Sequence, residues 1–258
     1  MISLTRLLQI QLAEAIQIAL GIDRIYAEIP VKPYVTKQSE SYQSNTYHYT
    51  SPIALSLAHQ VGRSSLEIAR DIDRGMEKLS CDRFSTAVEG EGWLNFRLSD
   101  RLIAESLYAL SQTLKENEIA TPDQPQNFPG YTYVQYAYAR CCALLRLARQ
   151  LELMGDWHDF SWQLLDPTGN LYLRESVEMR LALCLVDFEK RSKLDELERK
   201  RAIKLSKNLA ANFLDFYDTC RIASAARDLS EARMGLVATT QKVIAYLASG
   251  LIFLPEFL

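Results

Sequence analysis

Apolar residues recur at helical spacing along most of this chain and at strand spacing only in a short early stretch. In residues 1–20, Ile2, Leu8, Leu12, Ala15, Ile16 and Ala19 fall on one face, while Arg6, Gln9, Gln11, Glu14 and Gln17 interrupt the run. That pattern predicts an amphipathic helix, not a signal peptide or a membrane span. Residues 25–35 alternate loosely around Pro30 and Pro33 and predict an edge strand or extended segment, followed by a polar loop over 36–46. Ser51-Pro52 opens a helix carrying Ile53, Leu55, Leu57, Ala58 and Val61, and a second helix is predicted over 64–79 after Gly62. Within 84–98, Ala87-Val88 and Trp93–Leu98 form the two strands of a hairpin around Glu89-Gly-Glu-Gly92. A helix over 100–117 closes this half.

The second half is predicted helical almost throughout, over 133–154, 156–165, 171–189, 195–218 and 230–252. Between the halves runs Ile119–Gly130, with three prolines and little apolar periodicity, which reads as a linker. The division is therefore an α+β domain over 1–117, a linker over 118–130, and an all-α bundle over 131–258. The fold class is mainly α, with a small α+β N-terminal domain.

Composition narrows the function. The chain has 258 residues, 48% of them hydrophobic and 24% charged, enough for a packed core. Lys and Arg number 29 against 32 Asp and Glu, a net charge of −3. A protein that holds phosphates along its whole surface carries a basic excess, so any nucleic-acid site here has to be a local patch. The five cysteines, Cys81, Cys141, Cys142, Cys184 and Cys220, lack metal-ligand spacing and predict free, buried thiols in a reducing cytoplasm. No metal site, cofactor loop or catalytic constellation emerges. The three histidines, His48, His59 and His158, are scattered, and no Gly-rich phosphate loop occurs.

Several segments resemble arginyl-tRNA synthetase, in that family's order. Tyr49-Thr-Ser-Pro-Ile-Ala-Leu-Ser-Leu-Ala58 with Glu67-Ile-Ala69 resembles a segment of its N-terminal additional domain. Gly90-Glu-Gly-Trp-Leu-Asn-Phe-Arg-Leu-Ser99 resembles the "GPGFINFRLS" that ends that domain. In the second half, the segment from Tyr133 to Cys141 resembles "YVQYAHARICS", and Phe213 to Arg221 resembles "FHxFYNxCRV". Ala232 to Ala238 and the terminal Pro255-Glu-Phe-Leu258 resemble the close of the DALR anticodon-binding domain. The resemblance implies that the C-terminal bundle is of the DALR type. It also implies a missing part, since in the family a class I catalytic domain of several hundred residues lies between "NFRLS" and "YVQYA". That interval is short here and no His-x-Gly-His motif exists, so no aminoacylation is expected and the chain is not read as an enzyme. Lys204-Leu-Ser-Lys-Asn208 resembles the synthetase "KMSKS" loop but falls on the wrong side of "YVQYA". It lies in a predicted helix with Leu205, Leu209 and Phe213 as a buried stripe, and reads as a charged helix face.

What the resemblance implies for binding is specific. In the family an aromatic and an amide near the "GFINF" segment contact a D-loop base at the tRNA elbow, which points to Trp93 and Asn95. Strand alternation places both on one face, predicting Leu94 and Phe96 as core and Trp93 and Asn95 as exposed. Glu91 departs from the usual uncharged residue and puts a carboxylate beside that site. On the anticodon side, Tyr133, Tyr136 and Arg140 share a helix face at i, i+3 and i+7. Tyr133 is the stacking candidate, Tyr136 and Tyr138 favour core packing, and Arg140 is either a phosphate contact or an internal partner of Asp215 or Asp218. Leu258 stands where the family has a terminal Met near the anticodon. The basic stretch 190–207 reads as a solvated helix face with i,i+4 ion pairs. The expected partner is tRNA, an arginine acceptor in the first instance, with no cofactor and no membrane. A protein partner, such as a tRNA-modifying enzyme or a synthetase, is the competing reading, in which the fold serves as an adaptor.

Overall fold

A computed structural model describes residues 3–23, 26–34, 47–79, 82–114, 132–153, 164–188 and 196–257. The chain divides into two compact units, Ile2–Ile103 and Ala104–Leu258.

In the N-terminal unit, α1 (Leu4–Leu20) begins at Ser3, whose hydroxyl accepts the Arg6 amide at 3.2 Å, and ends at Gly21 in the left-handed region. Its stripe of Leu4, Leu8, Leu12, Ala15 and Ile16 is buried, as the spacing predicts. It packs on α3 (Ser65–Leu79), where Gly75 brings the two backbones together. A Cβ at Gly75 would stand 3.1 Å from the Ala15 carbonyl oxygen. Between them in sequence lies α2 (Ile53–Val61).

Four short strands form an antiparallel sheet in the order β1-β2-β4-β3: β1 Lys32–Pro33, β2 Tyr49–Ser51, β3 Phe84–Glu89 and β4 Trp93–Leu98. The predicted hairpin is present, with Glu89 opposite Trp93 and Ala87 opposite Asn95. Its turn lies against the start of α3: Ser65 Oγ donates to the Glu91 carbonyl at 2.5 Å, and a Cβ at Gly92 would stand 2.8 Å from the Ser65 carbonyl oxygen. Of the segment expected over 25–35, the described residues 26–34 hold a 3-10 turn (Tyr26–Glu28) and the two-residue β1. The strand β2 was not legible in the pattern. It is three residues long, and it makes β4 a central strand by pairing Thr50 with Asn95 and Tyr49 with Phe96. Tyr49, Leu94 and Phe96 fill the core on the inner face. His48, 1% exposed, ties the sheet together: its amide donates to the Phe96 carbonyl at 2.7 Å, and its Nδ1 accepts the Leu98 amide at 2.9 Å.

The helix α4 (Asp100–Thr113) spans the boundary between the units. In the C-terminal unit, α5 (Thr132–Gln150), α6 (Ser176–Val186), α7 (Glu196–Thr219) and α8 (Arg227–Ala248) form a bundle. Ala232, Met234, Leu236, Val237, Ala238 and Ile244 are all buried, together with Arg233, Thr239 and Thr240, so α8 is covered nearly all round and runs through the centre of the bundle. The fold is thus mainly helical with a small antiparallel sheet in its N-terminal region, as expected. The sequence pattern starts the third helix of this half at Leu171, but Leu171 instead forms an antiparallel bridge with Leu165. The helix begins at Ser176 because Glu175 and Glu178 form a reciprocal capping box there. The helix expected over 156–165 lies largely outside the described residues, and Leu165 itself is in the bridge.

A buried ion pair joins the bundle. Arg233 Nε donates to Glu178 Oε1 at 2.5 Å, with the two side chains 9% and 0% exposed. Glu178 Oε2 accepts the amides of Arg174 and Glu175 at 2.7 and 2.8 Å, and Arg233 Nη1 donates to the Arg221 carbonyl at 3.0 Å. Both carboxylate oxygens of Glu178 and the Nε and Nη1 of Arg233 thus have partners, the condition under which such a pair is tolerated in a core.

Candidate nucleic-acid interface

On the C-terminal unit, α5 presents two faces. Tyr133, Tyr136 and Arg140 lie within about 60° of one another around the helix axis, at about 100° per residue. Tyr133 is 46% exposed and Tyr136 is half-buried. The Arg140 guanidinium lies 4.9 Å from the Tyr136 ring centroid and 5.9 Å from that of Tyr217 on α7. Tyr217 is itself stacked on Phe213 at 6.2 Å. Hydrogen bonding to Tyr136 raises the Arg140 pKa further, so the charge is permanent. Neither Asp215 nor Asp218 pairs with Arg140 among the described residues; Asp215 instead meets Arg180 at 3.5 Å. The internal ion pair considered for Arg140 is therefore replaced by cation–π contacts, and its buried Nε makes no hydrogen bond. The result is a cation held between aromatic rings beside an exposed tyrosine.

The other side of α5 carries the C-terminal tail. Gln135 Nε2 donates to the Phe253 carbonyl at 2.8 Å, Arg146 Nη2 donates to the Glu256 carbonyl at 3.2 Å, and the Arg146 guanidinium sits 4.1 Å from the Phe257 ring centroid. Gln135 and Arg146 lie about 120–140° around α5 from Arg140. Leu258 lies outside the described residues. Tyr138 is 9% exposed and its hydroxyl accepts from Gln241 at 3.1 Å, a core residue as expected. Leu205 departs from its predicted stripe: Leu209 and Phe213 are buried, but Leu205 is 48% exposed because it turns away from the bundle.

On the N-terminal unit, Trp93 is 41% exposed, whereas Asn95, on the same face, is only 2% exposed. The expectation of an exposed Asn95 is corrected for a definite reason. β4 is central, so side chains of both neighbouring strands cover its outer face. Asn95 Oδ1 accepts from Thr50 Oγ1 at 2.7 Å, and its Nδ2 donates to Glu89 Oε2 at 2.8 Å. Sequence reasoning missed Thr50 and Glu89, whose proximity depends on strand register, and Tyr217, which lies inside the segment resembling "FHxFYNxCRV". Four cysteines, Cys141, Cys142, Cys184 and Cys220, are free thiols; Cys81 lies outside the described residues. Burial raises the thiol pKa of each. Among the described residues no group of three or more His, Cys, Asp or Glu could hold a metal ion, and no helix is long and apolar enough to cross a membrane.

Residues 6–98 match the family described as arginyl tRNA synthetase N terminal domain, and residues 134–251 match the DALR anticodon binding domain. These two matches define a chain built from the accessory domains of a class I synthetase. It is an arginyl-tRNA synthetase-like protein in which only residues 99–133 stand between the two domains, with no catalytic domain there. Similar proteins are arginine–tRNA ligases. That of Acetivibrio thermocellus is 37% identical over 114 residues, covering 43% of this chain and 19% of the relative. That of Gloeobacter violaceus is 32% identical over 122 residues, with 44% and 20% covered. That of Thermosynechococcus vestitus is 30% identical over 139 residues, with 52% and 22% covered. The chain thus matches about a fifth of the length of these curated relatives.

Proposed function

We propose that this protein is a non-catalytic paralogue of arginyl-tRNA synthetase that binds tRNA, an arginine acceptor in the first instance, and regulates its use or delivers it to another enzyme in the cytoplasm. The observation that carries the reading is the Tyr133, Tyr136, Arg140 and Tyr217 face. An exposed aromatic offers a stacking surface to an unpaired base, and an adjacent permanent cation complements phosphate. Local charge of this kind is what a chain of net charge −3 needs in order to hold RNA. In this reading Trp93 and Asn95 serve the elbow of the same tRNA. Leu258 belongs with the anticodon contacts only through the resemblance.

A second reading, a protein-interaction adaptor that has given up RNA, is favoured by one observation: the Asn95 amide is already occupied by Glu89 and Thr50. The two are separated by a mobility-shift titration with total tRNA at several salt concentrations. Saturable binding with a negative log–log salt slope is expected; no binding at low salt refutes the RNA reading. Incubation with ATP, arginine and tRNA is expected to yield no Arg-tRNA, because the segment between the domains cannot form a nucleotide-binding fold. Turnover above an inactive control would overturn that.

A further inference from the structure

The outer face of the sheet places a carboxylate where a nucleobase would have to bind. An asparagine amide reads a base with both of its atoms, Oδ1 accepting and Nδ2 donating. In this structure both are engaged within the protein. Oδ1 takes the Thr50 hydroxyl at 2.7 Å and Nδ2 gives to Glu89 Oε2 at 2.8 Å, and the side chain is buried to 2% exposure. The register makes this arrangement possible. Thr50 is directly opposite Asn95 on β2, while Glu89 is opposite Trp93 at the end of β3, diagonal to Asn95 across the pair. Tyr47 also reaches Glu89: burial, then the Glu89 charge and a hydrogen bond to it, raise the Tyr47 pKa. Glu89 itself is exposed, at the strand end next to the turn that carries Glu91.

We infer that Glu89 is an intramolecular competitor for RNA at Asn95: its carboxylate accepts the amide proton a base would take, and its charge repels the phosphates that would bring the base there. This rests on the tRNA-binding reading above and adds a regulation to it. The N-terminal unit leaves Trp93 available for stacking but keeps the amide closed, so it reads a base only when Glu89 is displaced. A neutral solvent-facing side chain at this position would leave Nδ2 without its partner and free the donor for RNA. A purely structural Glu89 would instead contribute to stability and leave affinity unchanged.

The test measures dissociation constants for total tRNA with the full chain at low and moderate salt. The wild type is compared with Glu89→Ala, Glu89→Gln, Asn95→Ala and the Glu89→Ala/Asn95→Ala double variant. Glu89→Ala is expected to tighten binding by about 3–10-fold, the yield of one net hydrogen bond. Measured against Asn95→Ala, the double variant should show no gain, because the amide that Glu89→Ala frees is then absent. Glu89→Gln keeps an acceptor for Nδ2 while losing the charge, so it should recover only the salt-sensitive part of the gain. Equal gains for Glu89→Ala and Glu89→Gln, with no effect of Asn95→Ala in the Glu89→Ala background, would reduce the effect to charge and overturn the inference. Wild-type binding with unchanged affinity in Glu89→Ala also overturns it, while leaving the tRNA reading intact. No binding by any chain at low salt removes both. Where Asn95→Ala unfolds, the side-chain amide NMR resonance of Asn95 replaces it: added tRNA should shift that resonance in Glu89→Ala and leave it in place in the wild type, and the same response in both would refute the competition.

Discussion

Acidification should weaken the N-terminal unit through the buried His48. His48 is 1% exposed, and its Nδ1 accepts the Leu98 amide at 2.9 Å, so the ring must present a lone pair there. Burial, reinforced by the charge of Arg97, lowers its pKa from 6.5 to about 4. Between these values the unfolded chain binds a proton that the folded chain refuses, so stability falls as the pH falls. The contribution is fully present above pH 6.5 and is lost on the way down to about 4. At about 1.36 kcal/mol per pKa unit, the whole effect is about 3 kcal/mol, and most of it is gone by about pH 4.5. His48→Asn is the informative comparison. Its Oδ1 can stand near the Nδ1 position and accept the Leu98 amide, yet it does not titrate. Urea unfolding of both chains at pH 7.5 and pH 4.5 should show the wild type losing about 2–3 kcal/mol more than the variant. Parallel losses in the two chains would mean that His48 is not held neutral, and the argument would fail.

Two other outcomes follow from the bundle. Arg233→Met leaves the Glu178 carboxylate buried without its cation and should cost about 3–5 kcal/mol, read as a fall in the thermal midpoint; a midpoint unchanged from the wild type would refute the burial argument. Tyr133→Ala removes an exposed ring and should leave the midpoint in place while weakening tRNA binding by about 1–3 kcal/mol, measured by titration; unaltered affinity would remove Tyr133 from the site.

The helical periodicity of α1 and the alternation of Trp93 to Leu98 were legible because each is a local rule: the residues that satisfy it are the ones that pack. The shared face of Tyr133, Tyr136 and Arg140 followed from helix geometry in the same way. Tertiary structure decided which of these residues face solvent. Asn95 and Trp93 obey the same alternation, but β2 pairs with one side of β4 and β3 with the other, so Thr50 and Glu89 close over Asn95 and leave Trp93 open. β2 is only three residues long, too short for a period-two signal to show. Arg140 was legible as a cation on the right face; its settling between Tyr136 and Tyr217, rather than on Asp215 or Asp218, depended on how α7 packs against α5. Sequence determines which side of an element a residue occupies. What lies against that side comes from segments distant in the chain, and only the packed structure brings them there.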